Sequence, residues 1–348
     1  MRTCSFDGGK KSEKKIRKTT PGFLLSKRGF DKQITRRFDN SDTLVSPDKF
    51  LNFSREHKSC LHKLKLRIHK GEPDRSCVTR WINFVSRRKL KHLDVECLLM
   101  EPKFEVMPLS LYICETLLNL RLHRVSFGRF ESISLPRLRT MRLEQNTYAN
   151  EEVLESFILS CPVLEDLSIV RRVHDNVKVL RVHSQTLTRL SVGFFIGENV
   201  VAVHSYSKEE TGLWIDAPRL KYLYFENEIS KSKTISNTGS LVKGSFVDSC
   251  SRGSYPSDWF DLSKQQVVRN FFTGISKARD IMIFSKRIME LISAYLQVQP
   301  MPQFCNLSCL EAEFSHNLSC LRILSTFLES CPNLTSIVLV ITCTNLEF

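Results

Sequence analysis

No apolar run in these 348 residues approaches the ~18 needed to span a bilayer as a helix; the longest near the end, Ile337 to Ile341, is strand-sized. The opening Met1-Arg2-Thr3-Cys4-Ser5 leads into charge and not into the apolar stretch of a secretory signal. Catalytic signatures are absent too: H-E-x-x-H, G-x-S-x-G, G-x-G-x-x-G and C-x-x-C do not occur. Gly8-Gly9-Lys10-Lys11-Ser12 lacks the first glycine of a phosphate loop, since Cys4 stands there. The twelve cysteines are scattered, and Cys305, Cys309 and Cys320 lack the paired spacing of zinc ligands. These absences point away from an enzyme and from a bound metal or cofactor. They predict an intracellular chain, nuclear or cytoplasmic, with reduced and mostly buried thiols.

What is present is repetition. Phe157 to Ile169 reads F-I-L-S-C-P-V-L-E-D-L-S-I, and Phe327 to Leu339 reads F-L-E-S-C-P-N-L-T-S-I-V-L. Each copy follows an amphipathic run, Asn150 to Cys161 and Asn317 to Cys331. In the first run Val153, Leu154, Phe157, Ile158 and Cys161 share one helical face, with Asn150 as N-cap. Pro162 or Pro332 ends the helix because it cannot donate the next backbone hydrogen bond. The following L-x-x-L-x-L is a short strand with alternate residues facing inward. Its first leucine falls at Leu61, Leu90, Leu117, Leu138, Leu164, Leu187, Leu220 and, more loosely, Leu241, then again at Leu307 and Leu334. Most of these intervals match the ~20–29 residues of a leucine-rich repeat. The expected fold is therefore an α/β leucine-rich-repeat solenoid, a curved stack with a parallel inner sheet and helices and loops outside.

Along the chain, residues 1–53 read as a basic disordered tail and linker, and residues 54–348 as the repeat domain. Lys10, Lys11, Lys14, Lys15, Arg17 and Lys18 make the tail a candidate nuclear-localisation run. Pro136 and Pro218, each two residues before a strand leucine, are expected to fix an extended approach to the strand. Residues 226–260, rich in Ser, Lys and Gly, are expected to form long loops.

The order of motifs carries a resemblance. Leu24-Leu25-Ser26-Lys27-Arg28 is followed by an acidic-aromatic segment, then Leu61-His62-Lys63-Leu64-Lys65-Leu66, Trp81-Ile82-Asn83-Phe84-Val85, and repeats with S-C-P-x-L. This order resembles the plant F-box proteins with leucine-rich repeats and a C-terminal FBD domain, and the resemblance makes Leu24 to Arg28, within residues 1–53, a remnant of the F-box end. The departures are Gly29 where that family usually has tryptophan, a lysine-rich tail in place of the F-box helices, and an end at Phe348 where the FBD domain is expected to begin. The resemblance implies a repeat domain that recognises substrates for an SCF-type ubiquitin ligase. A Skp-type adaptor is expected to bind only if a cryptic F-box exists.

Alternation also predicts a binding face. In L-x-x-L-x-L-x the third, fifth and seventh residues point off the core onto the concave sheet. They include Lys63, Lys65, Arg67, His92, Asp94, Glu96, Asn119, Arg121, His123, Thr140, Arg142 and Glu144. Further on they include Asp166, Ser168, Arg189, Ser191, Tyr222, Tyr224, Glu226, Glu311 and Glu313, the tyrosines being the expected anchors. The net charge of +14 concentrates before residue 150, while residues 301–348 are acidic. The expected partner is a protein, with no membrane. The alternative is a basic scaffold or nucleic-acid-binding repeat protein, against which few aromatics interleave with the cationic strand positions.

Overall fold

The computed structural model describes residues 62–68, 75–86, 89–98, 104–130, 132–172, 174–195, 211–227, 232–236, 239–248, 265–315 and 318–342. The chain divides into two compact units, Met1–Ile34 and Thr35–Phe348, and every described residue lies in the second. The readings of residues 1–53 as tail, F-box remnant and linker fall outside the described residues.

Eleven strands form one sheet. They are β1 (Lys63–Ile68), β2 (His92–Cys97), β3 (Asn119–His123), β4 (Thr140–Glu144), β5 (Asp166–Arg171), β6 (Arg189–Phe194), β7 (Tyr222–Glu226), β8 (Lys243–Val247), β9 (Asp280–Phe284), β10 (Cys309–Ser315) and β11 (Ser336–Thr342). Each pairs with the next, in chain order and in parallel throughout. This is the parallel inner sheet of a leucine-rich-repeat solenoid, as the leucine spacing predicted.

The repeats are joined by one recurring device. The carbonyl just before each strand, from His62 through Lys91, Leu118 and Arg139 to Ser308, accepts two N–H groups from the neighbouring repeat. At the third strand, for example, Lys91 O receives Leu118 N at 2.8 Å and Asn119 N at 3.0 Å. One oxygen thus fixes where the next strand begins, and the pairing register follows.

Before the strand lies a tight turn, and here the proline expectation is corrected. Leu138 N–H donates to Leu135 O at 3.2 Å, Leu164 to Cys161 at 3.1 Å, Leu220 to Ala217 at 3.0 Å and Leu334 to Cys331 at 3.2 Å. Pro136 and Pro218 are therefore second residues of β-turns, where a preset φ near −65° favours the bend, and not extended leads into the strand; Pro162 and Pro332 hold the same turn position just past the ends of helices at Leu159 and Glu329. The S-C-P-x-L motif is such a turn joined to a helix end. Its thiol bonds backward, Cys161 Sγ to Phe157 O at 3.2 Å and Cys331 Sγ to Phe327 O at 3.4 Å. Burial pushes the Cys161 thiol up to about 12 and that of Cys331 up to about 11.

The outer side of the core is varied. It carries α1 (Arg75–Ser86), α2 (Glu151–Leu159), α3 (Gln265–Ile275), α4 (Lys286–Leu296) and α5 (Leu318–Glu329). Asn150 caps α2 as expected, its side chain accepting from Val153 N at 3.1 Å, and Val153, Leu154, Phe157 and Ile158 are buried. Elsewhere the outside is strand: Val125–Phe127 pairs with Glu105–Val106 and Thr147–Tyr148, and Gly212–Asp216 with Val179–His183 and Ser232–Ser236. Ser232–Ser236 and β8 lie within the stretch expected to be loop. The outer strand looks loop-like in sequence because it buries one face only, with Ile235 at 4% exposure.

Leucines supply one layer of the core and aromatic rings fill the space behind it. Phe127 stacks on Tyr148 and meets Phe157 edge-on, and Phe225, Phe246, Phe271 and Phe272 form a second ring cluster. A buried amide and a buried ion pair tie the outer side down. Asn146 accepts from Val125 N at 2.9 Å and donates to Leu122 O at 3.0 Å. Arg171 pairs with Asp175 through two bonds of 2.8 and 2.9 Å, both side chains 1% exposed.

A candidate protein-binding face

Parallel pairing without slippage turns the off-core positions into three rows that cross the sheet. The first contains Lys63, His92, Asn119, Thr140, Asp166, Arg189 and Tyr222. The second contains Lys65, Asp94, Arg121, Arg142, Ser168, Ser191 and Tyr224, and the third Arg67, Glu96, His123, Glu144, Val170, Gly193 and Glu226. Every residue predicted for the face from Lys63 to Tyr224 lies on it, because alternate strand residues share a side.

The chemistry of the rows changes along the chain. At the N-terminal end, charges answer one another. Lys65 meets Asp94 at 2.7 Å, Arg67 meets Glu96 at 2.9 Å, and His92 Nδ1 lies 2.8 Å from Asn119 Nδ2. Arg121 bridges Asp94 at 3.0 Å and Glu144 at 2.5 Å, with a second bond to Glu144 at 3.1 Å. Although burial opposes its charge, the bonds to Glu144 and Asp94 hold this guanidinium above its ordinary range. His123 is half-buried, and desolvation depresses its basicity although Glu144 and Glu96 oppose the shift. It stands neutral at pH 7 and adds no charge to the row.

Beyond this network the pattern opens. Arg142 is exposed and makes no ion pair or hydrogen bond with any described residue. Ser168 and Ser191 follow with small hydroxyls, and the site of Gly193 is tight, since a Cβ there would lie 3.2 Å from Glu226 O. Arg189 lies over the exposed Tyr222 ring, 5.4 Å from its centroid. Tyr224 is half-buried, and burial with Glu226 nearby pushes its phenol up to about 12. Beyond it come Val247, Met282 and Phe284, all half-buried on the same face, then Glu311 and Glu313.

The leucine pattern passes over β9 because Asp280-Ile281-Met282-Ile283-Phe284 contains no leucine. Its strict alternation, with Ile281 and Ile283 buried, is the signal that finds it. Among the described residues no group of three or more His, Cys, Asp or Glu could hold a metal ion. No described helix is long and apolar enough to cross a membrane.

A family model described as "FBD-associated F-box protein At5g56370, LRR repeats" matches residues 78–240. The chain is 55% identical over 294 residues to FBD-associated F-box protein At5g22730 of Arabidopsis thaliana, covering 84% of this chain and 62% of that one. It is 57% identical over 304 residues to FBD-associated F-box protein At5g44490 of the same plant, covering 86% and 61%. To F-box/FBD/LRR-repeat protein At5g22700, also of Arabidopsis thaliana, it is 41% identical over 314 residues, covering 87% and 67%. The chain thus spans a little under two thirds of the length of the first two. A parallel sheet of eleven repeat strands, a matching repeat model and these identities together show that the chain belongs to the plant F-box/FBD/leucine-rich-repeat family.

Proposed function

We propose that this chain is a protein-binding repeat module whose off-core sheet face recognises the target of an SCF-type ubiquitin ligase. The observation that carries this reading is the face itself: three unbroken rows across parallel strands, with tyrosines and an arginine, Arg142, that has no ion-pair or hydrogen-bond partner among the described residues. Aromatic and arginine side chains dominate protein-binding hot spots. Docking of a Skp-type adaptor belongs to an F-box and is not assigned to any residue of this face. The face also fits protein better than nucleic acid. Lys65, Arg67 and Arg121 are already neutralised by Asp94, Glu96 and Glu144, so they present no continuous cationic track to a phosphate backbone.

The test is site-specific photo-crosslinking in plant cells. A photoreactive residue replaces Tyr224 on the face, or Leu159 on the exposed outer side of α2. Crosslinks from position 224 to a discrete protein whose turnover depends on this chain support the reading. Crosslinks confined to position 159, or to nucleic acid, overturn it.

A further inference from the structure

Two parts of the face differ in whether their charges are available. A partner that engaged Lys65, Asp94, Arg121 or Glu144 would first have to break a network in which Arg121 alone holds two carboxylates. Arg142 has no such competitor among the described residues. It occupies the same row as Arg121, one strand further on, so position on the sheet does not distinguish them; pairing does. From Arg142 the row runs over the small Ser168 and Ser191 to Tyr224, then past Ser245 to Met282 beside Phe284.

Strand spacing converts this order into a ruler. At ~4.8 Å per strand, three steps place Tyr224 about 14 Å from Arg142, and five steps place Met282 about 24 Å away. An extended peptide advances about 3.3 Å per residue, so it covers these spans in about four and about seven residues. We infer that the face recognises an extended peptide segment crossing the strands, with an acidic side chain at Arg142 and large apolar side chains about four and about seven positions along, at Tyr224 and at Met282 with Phe284. The two serines lie under the stretch between, where small side chains let a backbone approach. Charge complementarity selects the acidic end, and the half-buried apolar residues of β8 and β9 select the other.

This inference rests on the off-core face being the binding surface. A random peptide library displayed on phage is panned against the purified 348-residue chain, and the winning peptide is measured by fluorescence anisotropy. The inference expects an acidic residue with aromatic or large aliphatic residues at the two stated offsets. It expects Arg142→Ala to weaken binding about tenfold, the mark of a hot-spot residue, and Arg121→Ala to change it less than about twofold. Arg142→Glu should be rescued by exchanging the peptide's acidic residue for lysine. Selected peptides without an acidic residue, or binding lost with Arg121→Ala and kept with Arg142→Ala, overturn the inference, as does failure of any peptide to enrich. Crosslinks from position 224 combined with any of these leave the proposed function standing while this inference falls.

Discussion

Replacing Asp175 by alanine should be among the most damaging single changes in the chain. Arg171 Nε donates to Asp175 Oδ2 at 2.8 Å and Nη2 to Oδ1 at 2.9 Å. The same guanidinium donates to the Val177 carbonyl and lies 5.5 Å from the Phe194 ring centroid. Asp175 Oδ1 also accepts from Val177 N at 3.0 Å, so the carboxylate closes the loop leading to the outer strand Val179–His183. Both charged side chains are 1% exposed, so water cannot take over the role of the lost carboxylate. Leaving one member of a buried pair uncompensated costs about 3–5 kcal/mol. At about 2 °C per kcal/mol for a large domain, Tm should fall by about 6–10 °C. The contrast is the double change Arg171→Met with Asp175→Leu, which removes both charges and should cost less than Asp175→Ala alone. Calorimetry of the three proteins decides it. A single variant melting within about 2 °C of the parent, or a double variant worse than the single, would refute the claim that burial makes this pair indispensable.

Two further outcomes follow from other parts of the structure. Cys161 and Cys331 have folded-state pKa values raised to about 12 and about 11 from an ordinary 9.0, so their contribution is complete below about pH 9 and is lost as pH rises towards 11–12. Unfolding free energy measured from pH 8 to 11 should therefore decline, and Cys161→Ala should flatten the decline; Ellman labelling of native Cys161 at pH 8 as fast as that of exposed Cys305 would contradict it. All five residues from Ile337 to Ile341 are exposed, including Ile337, Leu339 and Ile341, which alternation alone would turn inward. The isolated polypeptide should self-associate through β11, and Val338→Lys with Val340→Lys should reduce this in light scattering at micromolar concentration; a stable monomer unaffected by the substitutions would sink the idea.

The fold was legible because its rule is periodic. Leucine at a fixed offset in each repeat marks a strand, and β1 to β8, β10 and β11 all follow such a leucine. Where the inward positions are isoleucine, as in β9, a search for leucine is blind although the alternation is intact. The outer side was less legible because it needs only one apolar face and accepts a helix or a strand. Ser232–Ser236 buries Ile235 and little else, which leaves a polar sequence that resembles a loop. The face could be placed residue by residue, since alternation fixes direction. Which charges are free could not, because Arg121 and Arg142 are alike in sequence and differ only in what the adjacent strands bring beside them.

The carbonyl that receives two amides at every step has a consequence for how such a chain can change over generations. Alignment is set afresh at each strand by one oxygen of the preceding repeat, so lengthening an outer connection does not slide the strands after it. An outer helix can be exchanged for an outer strand, or a repeat gained, while the rows remain lined up. Variation can then act on single side chains of the face as independent characters, each holding its place on the surface whatever happens to the loops between them.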